Sequence, residues 1–196
     1  MKNLQTRVYT DLASEPVTSE EAKNFCKVTG TQDDALFAIL ISAARQSLEK
    51  YTNSSFVEKT IHATWIKPPD NMEFELPYGP HIAVSKVYRI DSEGTETALT
   101  VNTDYWIYGD QDFVLYVNQY WSTSGVVTEN SYRIEYTAGY GKSGTTELLP
   151  DALMLAILKE VATQYDIREN ITSESVNELS NAARRLADPY RRKLWF

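Results

Sequence analysis

The chain has 196 residues, 42% of them hydrophobic, which is enough apolar material for a core and too much for a disordered polymer. Its net charge of −8 is unevenly spread: Arg184 to Phe196 holds five cations against Asp188, a net of +4, which leaves −12 on the residues before it. An acidic body with a basic tail excludes general nucleic-acid binding, which needs a basic face to replace phosphate counterions, and suits a tail that meets an acidic partner.

Thr18-Ser19-Glu20-Glu21 is a capping box that opens a first helix through Ala22, Phe25 and Cys26, expected to stop near Gly30. A second box is expected with Thr31 as N-cap and Asp34 three residues on. Leu36, Ile39, Leu40, Ala43, Ala44 and Leu48 then recur at three- and four-residue spacing up to Tyr51. Phe37 and Ile41 widen that stripe, so Phe37, Ile41 and Leu48 are the expected contacts to a neighbouring subunit.

From Asn53 the period changes to two. Val57, Lys59, Ile61, Ala63 and Trp65 alternate with Glu58, Thr60, His62 and Thr64, as in a strand with one wet face. Ile82–Ile90 and Glu96–Val101 flank the turn Asp91-Ser92-Glu93-Gly94, and Tyr105–Tyr108 and Phe113–Val117 flank Gly109 to Asp112, predicting two hairpins. Tyr132–Thr137 is a last alternating strand. Helical period returns after Leu149-Pro150, with Leu153, Met154, Ile157, Leu158, Val161 and Tyr165 on the apolar face, and a final helix uses Val176, Leu179, Ala183 and Leu186. Pro189 is expected to end it, because proline disfavours helical geometry in the residue before it. The fold class is α+β: a helical core from both ends of the chain (residues 1–53 and 139–189), an inserted antiparallel β module (54–138) and a tail (190–196).

Little here carries chemistry. Gly141-Lys142-Ser143 suggests a phosphate loop, but Tyr136 stands where a further glycine is needed and Pro150 delays the helix whose amides would face a phosphate. His62 and His81 are isolated, and Asp110 and Asp112 suit a turn without a cation. The single cysteine, Cys26, excludes an intramolecular disulfide and is expected to be a buried structural thiol. No catalytic, metal or cofactor site is expected, and no membrane segment. The opening MKNLQTRVYTD lacks a signal's apolar region, so the product is expected in the cytoplasm where it is made. The tail interleaves Tyr190, Trp195 and Phe196 with Arg191, Arg192 and Lys193, residue types that dominate interface hot spots. Termini are usually solvated, yet exposed Leu194-Trp195-Phe196 favours docking on a partner.

The order of the pieces resembles phage head–tail connector (adaptor) proteins. Val17 to Lys23, then Asp33-Asp34-Ala35-Leu36 opening a helix that ends Leu48-Glu49-Lys50-Tyr51-Thr52, is similar to the family's start. Glu75-Leu76-Pro77, Val84 to Val87 and the Asp91–Gly94 turn look like its β insertion. Ile134 to Gly141, followed by Leu149-Pro150, resembles its most characteristic stretch, and Leu186 to Arg191 its ending. The resemblance runs from Val17 to Phe196, with no counterpart from Asp110 to Asn130. It implies a non-enzymatic subunit in the virion neck, in a ring of commonly twelve copies under the portal protein. Such a ring extends the channel through which packaged DNA passes and holds a tail or stopper protein. The portal-binding residues would be Arg184, Arg185, Tyr190, Arg191, Arg192, Lys193, Leu194, Trp195 and Phe196. The alternative is a β-rich ligand-binding or host-recognition module of a virion, marked by a concave aromatic cluster on the wet face around Trp65, Trp106 and Trp121.

Overall fold

The structure, a computed structural model, describes residues 4–11, 14–110, 112–118, 130–140, 148–167 and 179–192. Its chain passes back and forth between two units. One is helical, from Ala13–Val57 and Tyr140–Arg192, and the other is built of strands from the N-terminal stretch and Glu58–Gly139. Helices and antiparallel sheets together make the fold α+β.

In the helical unit, α1 (Ser19–Cys26) begins at the expected box: Thr18 N–H donates to the Glu21 carboxylate at 2.8 Å and Glu21 N–H to Thr18 Oγ1 at 3.2 Å. It ends before Gly30, where Lys27 turns left-handed (φ 57°). The second box does not form. The N-cap of α2 (Asp34–Thr52) is Asp33, with no side-chain cap bond. Both carboxylates are engaged elsewhere: Asp33 accepts the Tyr165 hydroxyl at 2.7 Å, and Asp34 pairs with Lys23 at 2.5 Å. Pro150 immediately precedes α3 (Asp151–Ile167), and Ser180 caps α4 (Asn181–Ala187) by accepting the Ala183 N–H. The core joins Phe37, Ile41, Ala44 and Leu48 of α2 to Leu153, Ile157 and Val161 of α3 and Ala183 of α4. Phe37 stacks on Tyr165 with ring centroids 4.8 Å apart.

Ions are buried with this apolar face. Arg45 bonds Glu49 one turn on at 2.9 Å and grips the Glu15 carboxylate with two nitrogens at 2.7 and 3.1 Å. Glu49 also accepts the Phe56 N–H at 2.7 Å, and buried Glu160 accepts the Ser180 N–H at 2.9 Å. A buried ion is tolerated only when its bonds are made, and these carboxylates satisfy backbone where the chain leaves α2 and where it enters α4.

The β unit holds a five-stranded antiparallel sheet in the order β1 (Leu4–Asp11), β2 (Lys59–Trp65), β8 (Ser131–Ala138), β4 (His81–Ile90), β5 (Glu96–Ala98). A three-stranded sheet is ordered β3 (Glu73–Glu75), β7 (Val114–Val117), β6 (Tyr105–Tyr108). Both expected hairpins form, β4–β5 and β6–β7. Gly109 at the second turn has φ +95°, and a Cβ there would lie 2.2 Å from the Asp112 carbonyl oxygen, so only glycine fits. Alternation along β2 and β8 puts Ile61, Ala63, Trp65, Tyr132, Ile134 and Tyr136 inward. Phe74 links the layers, with Trp65 edge-on and Tyr132 tilted, each at 5.2 Å. The Pro77 carbonyl accepts the Tyr136 hydroxyl at 2.8 Å and lies 3.1 Å from His81 Nε2. Because His81 Nδ1 accepts the Phe113 N–H at 2.9 Å, the proton of the neutral ring sits on Nε2, which donates to Pro77. His81 is a packing histidine. β1, at one edge of the larger sheet, has no counterpart in the sequence-based expectations.

Candidate functional site: charged and apolar surfaces

The basic C-terminal residues are partly fixed on the helical unit. Tyr51, in the last turn of α2, donates its hydroxyl to Asp188, and its ring lies under two guanidiniums, Arg184 at 5.7 Å and Arg191 at 4.8 Å. The bond to Asp188, then desolvation, pushes the Tyr51 hydroxyl pKa up. Arg192 N–H donates to the Thr52 carbonyl at 2.9 Å, and burial lowers the Arg192 pKa. Tyr190 packs against the helical core, and Arg185 is exposed.

Two expectations change here. Proline does not stop the helical path at Asp188, which stays helical (φ −52°, ψ −44°) and begins a 3-10 turn, Asp188–Tyr190. A first-turn proline loses nothing by lacking an N–H, so extended backbone starts only at Arg191 (φ −69°, ψ 120°). The tail expected to dock on a partner therefore begins clamped to α2 at Arg191 and Arg192. Of the nine residues expected to bind a partner, Arg184, Arg185, Tyr190, Arg191 and Arg192 share this corner, while Lys193, Leu194, Trp195 and Phe196 lie outside the described residues. Tyr51, which organises the cluster, was missed. Its signal was an aromatic at the polar end of an amphipathic helix.

The expected subunit contacts Phe37, Ile41 and Leu48 are 0%, 1% and 0% exposed, so they are core residues and have no surface to offer a second copy. Their stripe is broad because α2 packs against α1, α3 and α4 of its own unit. Outward, α2 shows Ile39, 65% exposed, and the helical unit also exposes Leu155 and Phe25, the latter with Lys159 Nζ 5.4 Å above its ring. Cys26 is half-buried rather than buried; burial, then the charge of Asp166, pushes its thiol pKa up.

The wet face of the five-stranded sheet carries a cross-strand row. Tyr9 of β1 stacks on His62 of β2 at 4.6 Å, and His62 Nε2 is 3.9 Å from Glu135 of β8. Arg133 is 3.4 Å from Glu135, forks onto Glu96 of β5 with one bond of 2.7 Å, and covers the Tyr88 ring at 4.6 Å. The Glu96 bond is the main reason the Arg133 pKa is raised. The tryptophans do not gather there: Trp65 faces the core, Trp106 is half-buried near Tyr116, and Trp121 lies outside the described residues. Gly141-Lys142-Ser143 also lies outside them. Among the described residues no His, Cys, Asp or Glu group could hold a metal, and no helix is long and apolar enough to cross a membrane.

Residues 17–106 match the family described as Phage gp6-like head-tail connector protein. The fold is similar to a chain in the neck of an empty gene transfer agent (GTA) particle computed with C6 symmetry. The TM-score is 0.74 at 18% identity, over 98% of this chain and 97% of that one. Chains in the virion of the native particle (0.72, 18%, covering 97% of each chain) and in its C12 neck (0.68, 17%, covering 98% of this chain and 97% of that one) are also similar. No curated protein matches the sequence.

Proposed function

We propose that this chain is a phage head–tail connector subunit, a structural and non-enzymatic protein of the virion, whose copies close into a ring of twelve in the neck beneath the portal protein. The ring extends the DNA channel and holds a tail or stopper protein. The observation that carries this reading is the fold likeness over nearly the whole of both chains to chains of particle necks with C6 and C12 symmetry. The charge agrees: Glu58–Gly139 has twelve acids against five bases, and like charge keeps passing DNA from adhering. Cryo-electron microscopy of the neck should show a closed ring on the portal axis, and a single off-axis copy would refute it.

The portal contact is assigned to Arg184–Phe196. Arg184, Arg185, Arg191 and Arg192 steer toward an acidic surface, and Trp195 and Phe196 each offer about 2 kcal/mol of burial before ordering costs. Deleting Lys193–Phe196, past the clamp at Arg192, should leave the far-UV circular dichroism unchanged and stop the protein joining tail-less heads. Normal attachment by the truncated chain would move the contact onto the helices.

A further inference from the structure

We infer that the five-stranded sheet continues from one copy into the next, the β1 edge of one subunit adding to the β5 edge of its neighbour. This rests on the ring reading and names one of the contacts that would make the ring.

A strand at a sheet edge presents unpaired backbone groups, and natural sheets blunt such edges with shortness, charge, proline or bulges. Among the described residues this sheet ends at β1 and β5. β5 is blunted by length, with three residues, although Leu99 N–H still reaches the Val87 carbonyl at 2.8 Å and extends it by one. β1 is eight residues long, and its register with β2 is regular from Leu4 to Val8, shifting only between Val8 and Thr10. It has no proline and one charge, Arg7, before its last residue. Val8 is 47% and Tyr9 67% exposed. The regular parts of both edges are thus four or five residues long.

Charge selects the occupant. Beside β1 stands the exposed cation Arg7. Beside β5 stand Asp91, Glu93 and Glu96, of which Asp91 is used inside its turn, accepting the Glu93 and Thr95 N–H groups, and Glu96 holds Arg133. Exposed Glu93 is the carboxylate the hairpin presents outward. One sheet with a cation at one end and an acidic hairpin at the other is complementary to copies of itself placed head to tail. Such heterologous contacts use two different surfaces per subunit, and they close into a ring when the rotation allows it. The occupant of the β1 edge is therefore the β4–β5 hairpin of a second copy. The polar row from Tyr9 to Glu96 becomes one segment of a belt crossing the subunit boundary.

The test uses the full-length chain with Cys26→Ser. One preparation carries Gln5→Cys, Thr6→Cys or Arg7→Cys, a second carries Glu96→Cys, Thr97→Cys or Ala98→Cys, and the two are mixed under mild oxidation. The inference expects a disulfide-linked heterodimer in one register and little product when either preparation is oxidised alone. A homodimer of the β1-cysteine chain would mean an isologous contact and overturn the proposal, as would no crosslink in any pair. Arg7→Glu should abolish crosslinking between Thr6→Cys and Thr97→Cys chains, and Glu93→Arg on the partner should restore it, with unchanged circular dichroism verifying the fold. No loss with Arg7→Glu would remove the charge argument and overturn the choice of occupant. Imaging the wild-type chain separates the two readings: crosslinks with open filaments would keep the edge contact and sink the ring, while rings without crosslinks would do the reverse.

Discussion

The helical unit buries an arginine and two carboxylates, whereas the β unit buries a lysine, an imidazole and a tyrosine hydroxyl. Arg45, Glu49 and Glu160 lie among Leu48, Ile157 and Ala183 in the first, and Tyr136 and His81 lie beside Phe113 and Phe74 in the second. Both sets serve irregular backbone. Glu49 holds the Phe56 amide where the chain leaves α2, Glu160 holds Ser180 before α4, and Tyr136 and His81 hold the Pro77 carbonyl between β3 and β4. The connections beyond the end of α2 and at the start of α4 present amide donors, which carboxylates answer. The connection between sheets leaves a carbonyl, which O–H and N–H donors answer.

The largest test separates the units altogether. Tyr140 N–H donates to the Ser55 carbonyl at 3.3 Å, so the helical unit's exit and re-entry points are adjacent. Removing Met1–Leu12 and replacing Glu58–Gly139 with a short Gly-Ser linker should give a helical protein with a cooperative thermal transition. A disordered product would show that the helices need the sheets. Within the whole protein, Arg45→Ala strips the counter-charge from Glu15 and buried Glu49 and should cost ~3–5 kcal/mol in urea unfolding. Phe74→Ala should cost a similar ~3–5 kcal/mol through a cavity alone. Hydrogen exchange distinguishes them: the first should speed the Phe56 and Tyr140 amides, and the second those of β7 and β8. If both variants speed the same amides, the contrast between the cores fails. The smallest effect lies at the α1 cap, where Thr18→Ala should cost ~1 kcal/mol. The Thr18 backbone bond, then its side chain, lowers the Glu21 pKa. The Glu21 contribution is therefore complete above the ordinary carboxylate range and lost as pH falls through the lowered value. Glu21→Gln should be less stable than wild type at neutral pH, and the gap should close in acid; a pH-independent gap would sink the assignment.

Strands covered on one face were legible. Strict alternation in Ile61–Trp65 and Tyr132–Tyr136 reports a core on one side, and Gly94 and Gly109 mark turns that need positive φ. β1 was not, because Thr6 and Val8 are exposed although they share a face with Leu4, so the pattern has no buried face to record. The broad stripe of α2 was read correctly as apolar, but periodicity does not say whether the covering surface belongs to the same chain. Phe37, Ile41 and Leu48 show that it does. The burial of Arg45 and Glu49, four residues apart on α2, was not read from the sequence. Their neighbours Ala44 and Leu48 on the buried face were the available hint. The Thr31 cap did not form, and Asp34, the carboxylate that local spacing assigned to it, pairs with Lys23 instead.

The back-and-forth path of the chain sets a timetable for its birth on the ribosome. β1 is made before β2 but meets it only when residue 59 and its successors emerge, and α2 finds α3 only after residue 151. At roughly 5–20 residues per second, the 98 residues between Thr52 and Asp151 keep Phe37, Ile41 and Leu48 waiting for about 5–20 seconds. The strands between β2 and β8 can pair during that interval, so the sheets should mature first and the helices last. Until then the nascent chain displays the apolar face of α2 to whatever holds newborn proteins apart.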